Sequence, residues 1–167
     1  MNQDSMNQDL PPCPEQRLEA LGLTLPPAAA PVANYIAVSK MGGLIIVSGQ
    51  LPFGPDGKID PRHIGKLGAG VSSADGRAAA RACGHNILAQ VRAQLGSLDV
   101  VGRCLRLGGF INCASDFKEL AQVMNGASDL MVEVFGDKGR HARSTIGVAQ
   151  LPLDAAVEVE AMFEAAL

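Results

Sequence analysis

The sequence predicts an α+β fold, a two-layer sandwich in which one mixed sheet carries two helices on one face, plus a short N-terminal helix. Two long segments of helical periodicity alternate with β-branched runs, and pairs of strand-like runs stand at both ends of the chain. The length, 167 residues, suits one domain that buries roughly two-thirds of its unfolded surface.

The opening "MNQDSMNQDL" is five residues copied once, too short and polar for an architectural repeat. Residues 1–13 read as a disordered extension or a duplicated start, and residues 14–167 as a single domain with its core at about 31–165. "PEQRLEALGL" places Pro14 at a first helical position, Leu18 and Leu21 three apart and Gly22 as a stop, which predicts a short helix over 14–22. After the proline-rich "LPPAAAPVA", the runs "NYIAVSK" and "LIIVSGQLPF" flank "MGG" and predict a hairpin. "GPDGKID" reads as a turn with a short edge strand.

"SSADGRAAARACGHNILAQVRAQLG" starts with Ser72 three residues before Asp75, the spacing of a capping box. Ala80, Gly84, Ile87, Leu88, Val91 and Leu95 then share one helical face, with Arg81, His85 and Arg92 to its side, His85 in solvent. "VGRCLRLGGFINCA" follows as a strand and "KELAQVMNGASDLMVEVFG" as a second helix. Strands at about 142–149 and 155–163, joined by "QLPLD", close the chain and predict a terminal hairpin.

Alternation sorts the side chains of those two strands. Arg143, Thr145 and Gly147 fall on one face of the first, and Glu158, Glu160 and Met162 oppose Val157, Val159 and Ala161 in the second. Pairing apolar with apolar sets Thr145 across from Glu158 and Arg143 across from Glu160, on the face away from the helices. That face holds small residues and a methionine, which suits a subunit interface.

Composition narrows the function. A net charge of −3, a pI near 5.5, one Tyr and no Trp argue against gripping phosphate backbones or stacking bases. No run of apolar residues approaches the roughly 20 that a membrane helix needs, and the start carries no basic region or apolar core, so a cytoplasmic location is expected. Cys13, Cys83, Cys104 and Cys113 have no ligand-like spacing and read as reduced thiols. No metal cluster, P-loop or nucleotide fingerprint appears, and no cofactor is expected.

"VSGQLP", "ARSTIGVAQLP" and "VEVEAM", in this order and spacing, resemble the motifs of the RidA, or YjgF/YER057c/UK114, family of reactive-intermediate imine deaminases, also called endoribonuclease L-PSP. The likeness runs from about Pro31 to Phe163. It implies a chorismate-mutase-like fold, a homotrimer with sites in the clefts between subunits, and hydrolysis of small enamine and imine carboxylates to 2-oxo acids and ammonia. By the same resemblance, Arg143 clamps the substrate carboxylate and Glu158 orients the attacking water and shuttles its proton, with Thr145 beside them. Tyr35, Ser48, Gly49 and Asn125 match substrate-binding positions, and His141 stands two residues before the clamp, where it would add charge or select a substrate.

Departures accompany the likeness. Thr145 stands where many members have cysteine, Gly147 where they have glutamate, "DKGRHAR" replaces the usual approach to the arginine, and "DPRHIGKLGAGVS", with His63, is an insertion that would rim the cleft. Two other functions stay open: a non-catalytic module that binds small carboxylates, and an endoribonuclease, against which charge and aromatic scarcity count.

Overall fold

A computed structural model of the chain describes residues 13–30 and 34–165. Apart from Cys13, the expected N-terminal extension lies outside the described residues. The core is one five-stranded sheet of order β1-β2-β7-β5-β6, built from β1 Val38–Met41, β2 Leu44–Gln50, β5 Val101–Asn112, β6 Ala142–Val148 and β7 Val157–Ala165. The sheet is mixed: β5 and β6 run parallel and the other neighbouring pairs antiparallel. Two further strands of two residues each, β3 Lys66–Leu67 and β4 Gly70–Val71, form a separate ribbon.

The helices are α1 Pro14–Ala20, α2 Ser73–Leu95 and α3 Leu120–Phe135. Ser72 Oγ accepts from the Asp75 N–H at 3.1 Å, satisfying one orphan donor of the first turn of α2, and Gly96 at φ 83° ends the helix in the left-handed region that favours glycine. The predicted stripe of α2 is buried at Ala80, Gly84, Ile87, Leu88 and Val91. It meets Leu130 and Met131 of α3 and Val157, Val159 and Phe163 of β7 in one apolar cluster. Close approach of the two helices depends on Gly126, since any Cβ there would collide with the Arg77 carbonyl oxygen.

α1 is strapped to the outer ends of the two long helices. The Glu15 carboxylate accepts from Arg92 Nη2 at 2.5 Å and Nε at 3.1 Å and from the Leu98 N–H at 2.9 Å, while Arg17 donates to the Glu133 carbonyl at 3.3 Å. His85, expected in solvent, is half-buried on α2, and burial together with the Arg81 charge lowers its pKa.

Two expectations about strands fail. "GPDGKID" forms a turn closed by a single Phe53–Ile59 bridge and adds no strand to the sheet. More consequentially, β6 and β7 are not a hairpin: β5 lies between them, pairing with β6 on one side and β7 on the other. The reason is in the connections. β5, α3 and β6 make a strand–helix–strand crossover, the connection that lets two parallel strands lie side by side. The connector from β6 to β7 must then step over the end of β5, and it does so through Leu153 and Asp154 at φ 57° and 54°.

Candidate functional site

β6 is an edge strand, and its parity decides which side chains meet the helices. Arg143 stands beside Leu107 of β5 and Thr145 beside Gly109; Leu107 is buried under the helices. Arg143, Thr145 and Gly147 therefore face α3, and the expectation that Arg143 lies opposite Glu160 on the open face is wrong. The inserted strand shifts Arg143 next to Leu107 and Ala161, whereas Glu160 shares a row with Gly108 and Ser144.

On that helix side the guanidinium is held by α3. Arg143 Nη1 donates to Asn125 Oδ1 at 2.8 Å and to Ser128 Oγ at 3.1 Å, and Nη2 makes a long bond of 3.5 Å to the Ala121 carbonyl. Of five guanidinium donors, both on Nη1 are thus engaged. Nε and the second Nη2 hydrogen make no hydrogen bond among the described residues.

His141 completes the cluster. Its Nδ1 lies 2.6 Å from the Gly139 carbonyl, which only accepts, so Nδ1 carries the hydrogen. Nε2 then bears a lone pair and accepts from Ser128 Oγ at 3.0 Å. Burial lowers the His141 pKa, the Gly139 bond opposes that shift, and the Arg143 charge adds to it, which leaves the ring neutral near pH 7. Two residues along the strand from Arg143, on the same face, Thr145 Oγ1 is buried with no hydrogen-bond partner in the protein. Gly147 leaves room for Cys113: a Cβ at 147 would come within 2.8 Å of the Cys113 sulfur.

Glu158 belongs to the other face of the sheet. Val157 and Val159 are buried in the core, so the carboxylate between them points away from the helices. It lies over Gly49 of β2, whose missing side chain makes the space: a Cβ there would overlap Glu158 Oε1. The resemblance has Gly49 admitting a ligand to the backbone; here that room is filled by a carboxylate of the same chain. Half-buried, Glu158 has its pKa raised, first by desolvation and second by the like charge of Glu160. Arg143, which would have opposed the rise had the two been cross-strand neighbours, takes no part.

The cation beside the glutamates is instead Arg106, whose Nη1 lies 2.8 Å from Glu160 Oε1. Ser48 Oγ donates to the Ala37 carbonyl at 3.1 Å, tying the irregular stretch of β2 to the segment that follows Tyr35, itself half exposed at 51%. The insertion at 60–72 reaches the sheet at the far end of β6 from Arg143. There the Ala114 N–H donates to the Leu67 carbonyl, and Lys66 Nζ donates to Asn112 Oδ1 at 2.6 Å and to the Ala149 carbonyl. His63 is buried on the α2 side of the insertion, with Nδ1 lacking a partner and its pKa lowered by burial.

The candidate residues thus form two groups. Arg143, Asn125, His141 and Thr145 gather at the helix side of the sheet edge, joined by Ser128, which the sequence did not single out. Glu158, Gly49, Ser48 and Tyr35 belong to β2, β7 and the segment before β1, with Arg106 and Glu160 added. Ser128 was legible only as a helix residue three positions after Asn125, one turn on and on the same face. Among the described residues there is no group of three or more His, Cys, Asp or Glu placed to hold a metal, and no helix long and apolar enough to cross a membrane.

Fold and site together define a mixed α+β domain with an arginine-centred polar cluster at the sheet edge. The chain belongs to the family described as "YjgF/chorismate mutase-like, putative endoribonuclease", whose sequence model matches residues 15–165. It is 48% identical over 148 residues to Protein TCP17 of Trypanosoma cruzi, covering 88% of this chain and 91% of that one. It superposes with a TM-score of 0.83 on a protein of unknown function from Agrobacterium tumefaciens, 41% identical, with 98% of each chain covered. TdcF of E. coli, solved with bound serine, matches with a TM-score of 0.60 at 25% identity over 82% of this chain and 92% of that one.

Proposed function

We propose that the protein hydrolyses small carboxylate-bearing enamine and imine intermediates, of the 2-aminoacrylate type, to 2-oxo acids and ammonia. One observation carries this reading. Arg143 is anchored to α3 through both Nη1 hydrogens, which leaves Nε and one Nη2 hydrogen without a partner among the described residues. A guanidinium edge takes a carboxylate by two parallel charge-assisted bonds. TdcF, a relative with bound serine, supports a ligand bearing a carboxylate next to a nitrogen.

Arg143 and Glu158 lie on opposite faces and two strands apart, about 10 Å across the sheet from strand spacing alone. A three-carbon ligand cannot touch both within one chain. A second copy supplies the missing half, as in the homotrimer with inter-subunit clefts that the family resemblance implies. The exposed Met41, Ile46 and Ile146, on the face away from the helices, support such an assembly.

In the cleft, the imine carbon is held by the carboxylate clamp. Glu158 from the neighbouring copy takes a proton from water as the new C–O bond forms, the C=N electron pair moves to nitrogen, and Glu158 gives that proton to the nitrogen. The hydroxyl of the tetrahedral intermediate then gives its proton to Glu158, which passes it to the amine nitrogen as the C–N bond breaks. Ammonia leaves, the 2-oxo acid remains and Glu158 is again ionised. A raised pKa suits a carboxylate that must hold and return a proton near neutral pH. Imines generated in situ by an amino-acid oxidase should be converted to 2-oxo acid and ammonia faster than in buffer, and Arg143→Ala should abolish the acceleration. Full turnover by that variant would sink the mechanism.

The second reading, a carboxylate-binding module without turnover, is favoured by Thr145 and Gly147 at positions where many deaminase members have cysteine and glutamate. Saturable 2-oxo acid binding with no rate above background would establish it. The endoribonuclease in the family's description fits less well: His63 and His85 are withdrawn from solvent with lowered pKa values, and His141 is committed to Gly139 and Ser128.

A further inference from the structure

The cluster around Arg143 contains more than the clamp needs. Ser128 bonds the guanidinium directly, His141 reaches it only through Ser128, and the hydrogens of this chain run in one direction. The Gly139 carbonyl accepts from His141 Nδ1, His141 Nε2 accepts from Ser128 Oγ, and Ser128 Oγ accepts from Arg143 Nη1. Each link is forced by the one before it. A carbonyl has no proton to give, the neutral imidazole has only one, and a hydroxyl that donates to Nε2 turns its lone pairs elsewhere.

We infer that Ser128 and His141 are positioning residues that fix which edge of Arg143 meets the ligand. An arginine on an exposed edge strand has several rotamers, and each presents a different pair of N–H groups. Asn125 Oδ1 alone holds one Nη1 hydrogen and leaves the plane free to swing about that bond. Ser128 takes the second Nη1 hydrogen from a position one helical turn away, and two acceptors on one nitrogen set both the plane and its orientation. With both Nη1 hydrogens taken, the donors left for a carboxylate are Nε and the Nη2 hydrogen that the Ala121 carbonyl does not hold, and not the end-on pair Nη1 with Nη2.

His141 keeps the Ser128 oxygen in the accepting role. Without an acceptor at Nε2, the Ser128 hydrogen is free to rotate toward the guanidinium and spoil the geometry. The histidine therefore contributes orientation and no charge, which revises the sequence-based expectation that it adds charge beside the clamp. The substrate consequence is side-on recognition: a flat carboxylate, as in 2-oxo and 2-imino acids, lies along Nε–Nη2.

This inference rests on the carboxylate-clamp reading, so the test is binding of pyruvate to the full-length protein, which needs no turnover. Ser128→Ala should weaken pyruvate affinity about tenfold, the loss of one hydrogen bond to a charged group, and Ser128→Thr, which keeps the hydroxyl, should restore most of it. His141→Phe should cost about threefold, and His141→Gln, with a carbonyl oxygen within reach of Ser128, less. In turnover the same variants should raise KM with kcat nearly unchanged. Pyruvate binding that is lost in Arg143→Ala but equal in Ser128→Ala, Ser128→Thr and His141→Phe would overturn the positioning role and leave the clamp standing. No pyruvate binding by the unaltered protein would overturn the clamp and this inference together.

Discussion

The Arg143 side of the sheet and the Glu158 side are built on opposite principles. Around Arg143 every engaged group is satisfied by a partner from the same chain: two side-chain acceptors on α3, a histidine behind one of them and a backbone carbonyl behind the histidine. Around Glu158 the chain supplies discomfort. The carboxylate is half-buried beside a second glutamate, and Arg106 is spent on Glu160. The comparison separates two tasks. A group that must recognise a permanent charge is held rigid, and a group that must exchange a proton is kept destabilised in its charged form.

That contrast sets out the ways to break it. Arg143→Ala removes two charge-assisted bonds, so kcat/KM should fall on the order of a thousandfold while the thermal midpoint barely moves. The midpoint is indifferent because the arginine is exposed at the edge. Glu158→Gln should lower kcat about a hundredfold or more with pyruvate affinity retained, which steady-state kinetics beside binding isotherms would resolve. The same variant should melt at a higher temperature at neutral pH. A carboxylate whose pKa is raised in the folded state binds protons more tightly there than in the unfolded chain, so stability falls as pH rises from the ordinary carboxylate pKa through the raised one. Gln does not titrate and escapes that loss.

Smaller effects sharpen the picture. Gly49→Ala places a methyl group where the Glu158 carboxylate lies, and should reduce kcat about tenfold by displacing the base, with Arg143-dependent pyruvate binding preserved. An unchanged kcat would mean that Glu158 works from another position. Glu160→Gln removes the like charge and releases Arg106, and both changes favour ionised Glu158. The acid limb of the rate profile should move to lower pH, and a limb that stays in place or rises would assign the proton transfer to another group.

Much of the fold was legible because its signals are local. The Ser72 cap, the Gly96 stop, the stripe through Ala80, Ile87 and Leu88, and the "MGG" turn between β1 and β2 all depend on residues within a turn or two of each other. The parity of each strand was legible too: Arg143, Thr145 and Gly147 do share a face, as do Glu158 and Glu160. What failed was the relation between strands. The short "QLPLD" connector looked like a hairpin turn, yet β5, α3 and β6 in succession are a crossover that favours parallel neighbours, and that longer-range signal outranked the short loop.

The sequence by itself determined which residues travel together on one face, because alternation is a property of a single strand and cannot be altered without exchanging core for solvent. It could also name the arginine and the glutamate through their motifs. Only the tertiary structure decided which face meets which, since strand order is set by where α3 packs and which edge β6 then joins. That one choice moved Arg143 from the glutamates to Asn125, Ser128 and His141, and left Glu158 to be tuned by burial and by Glu160.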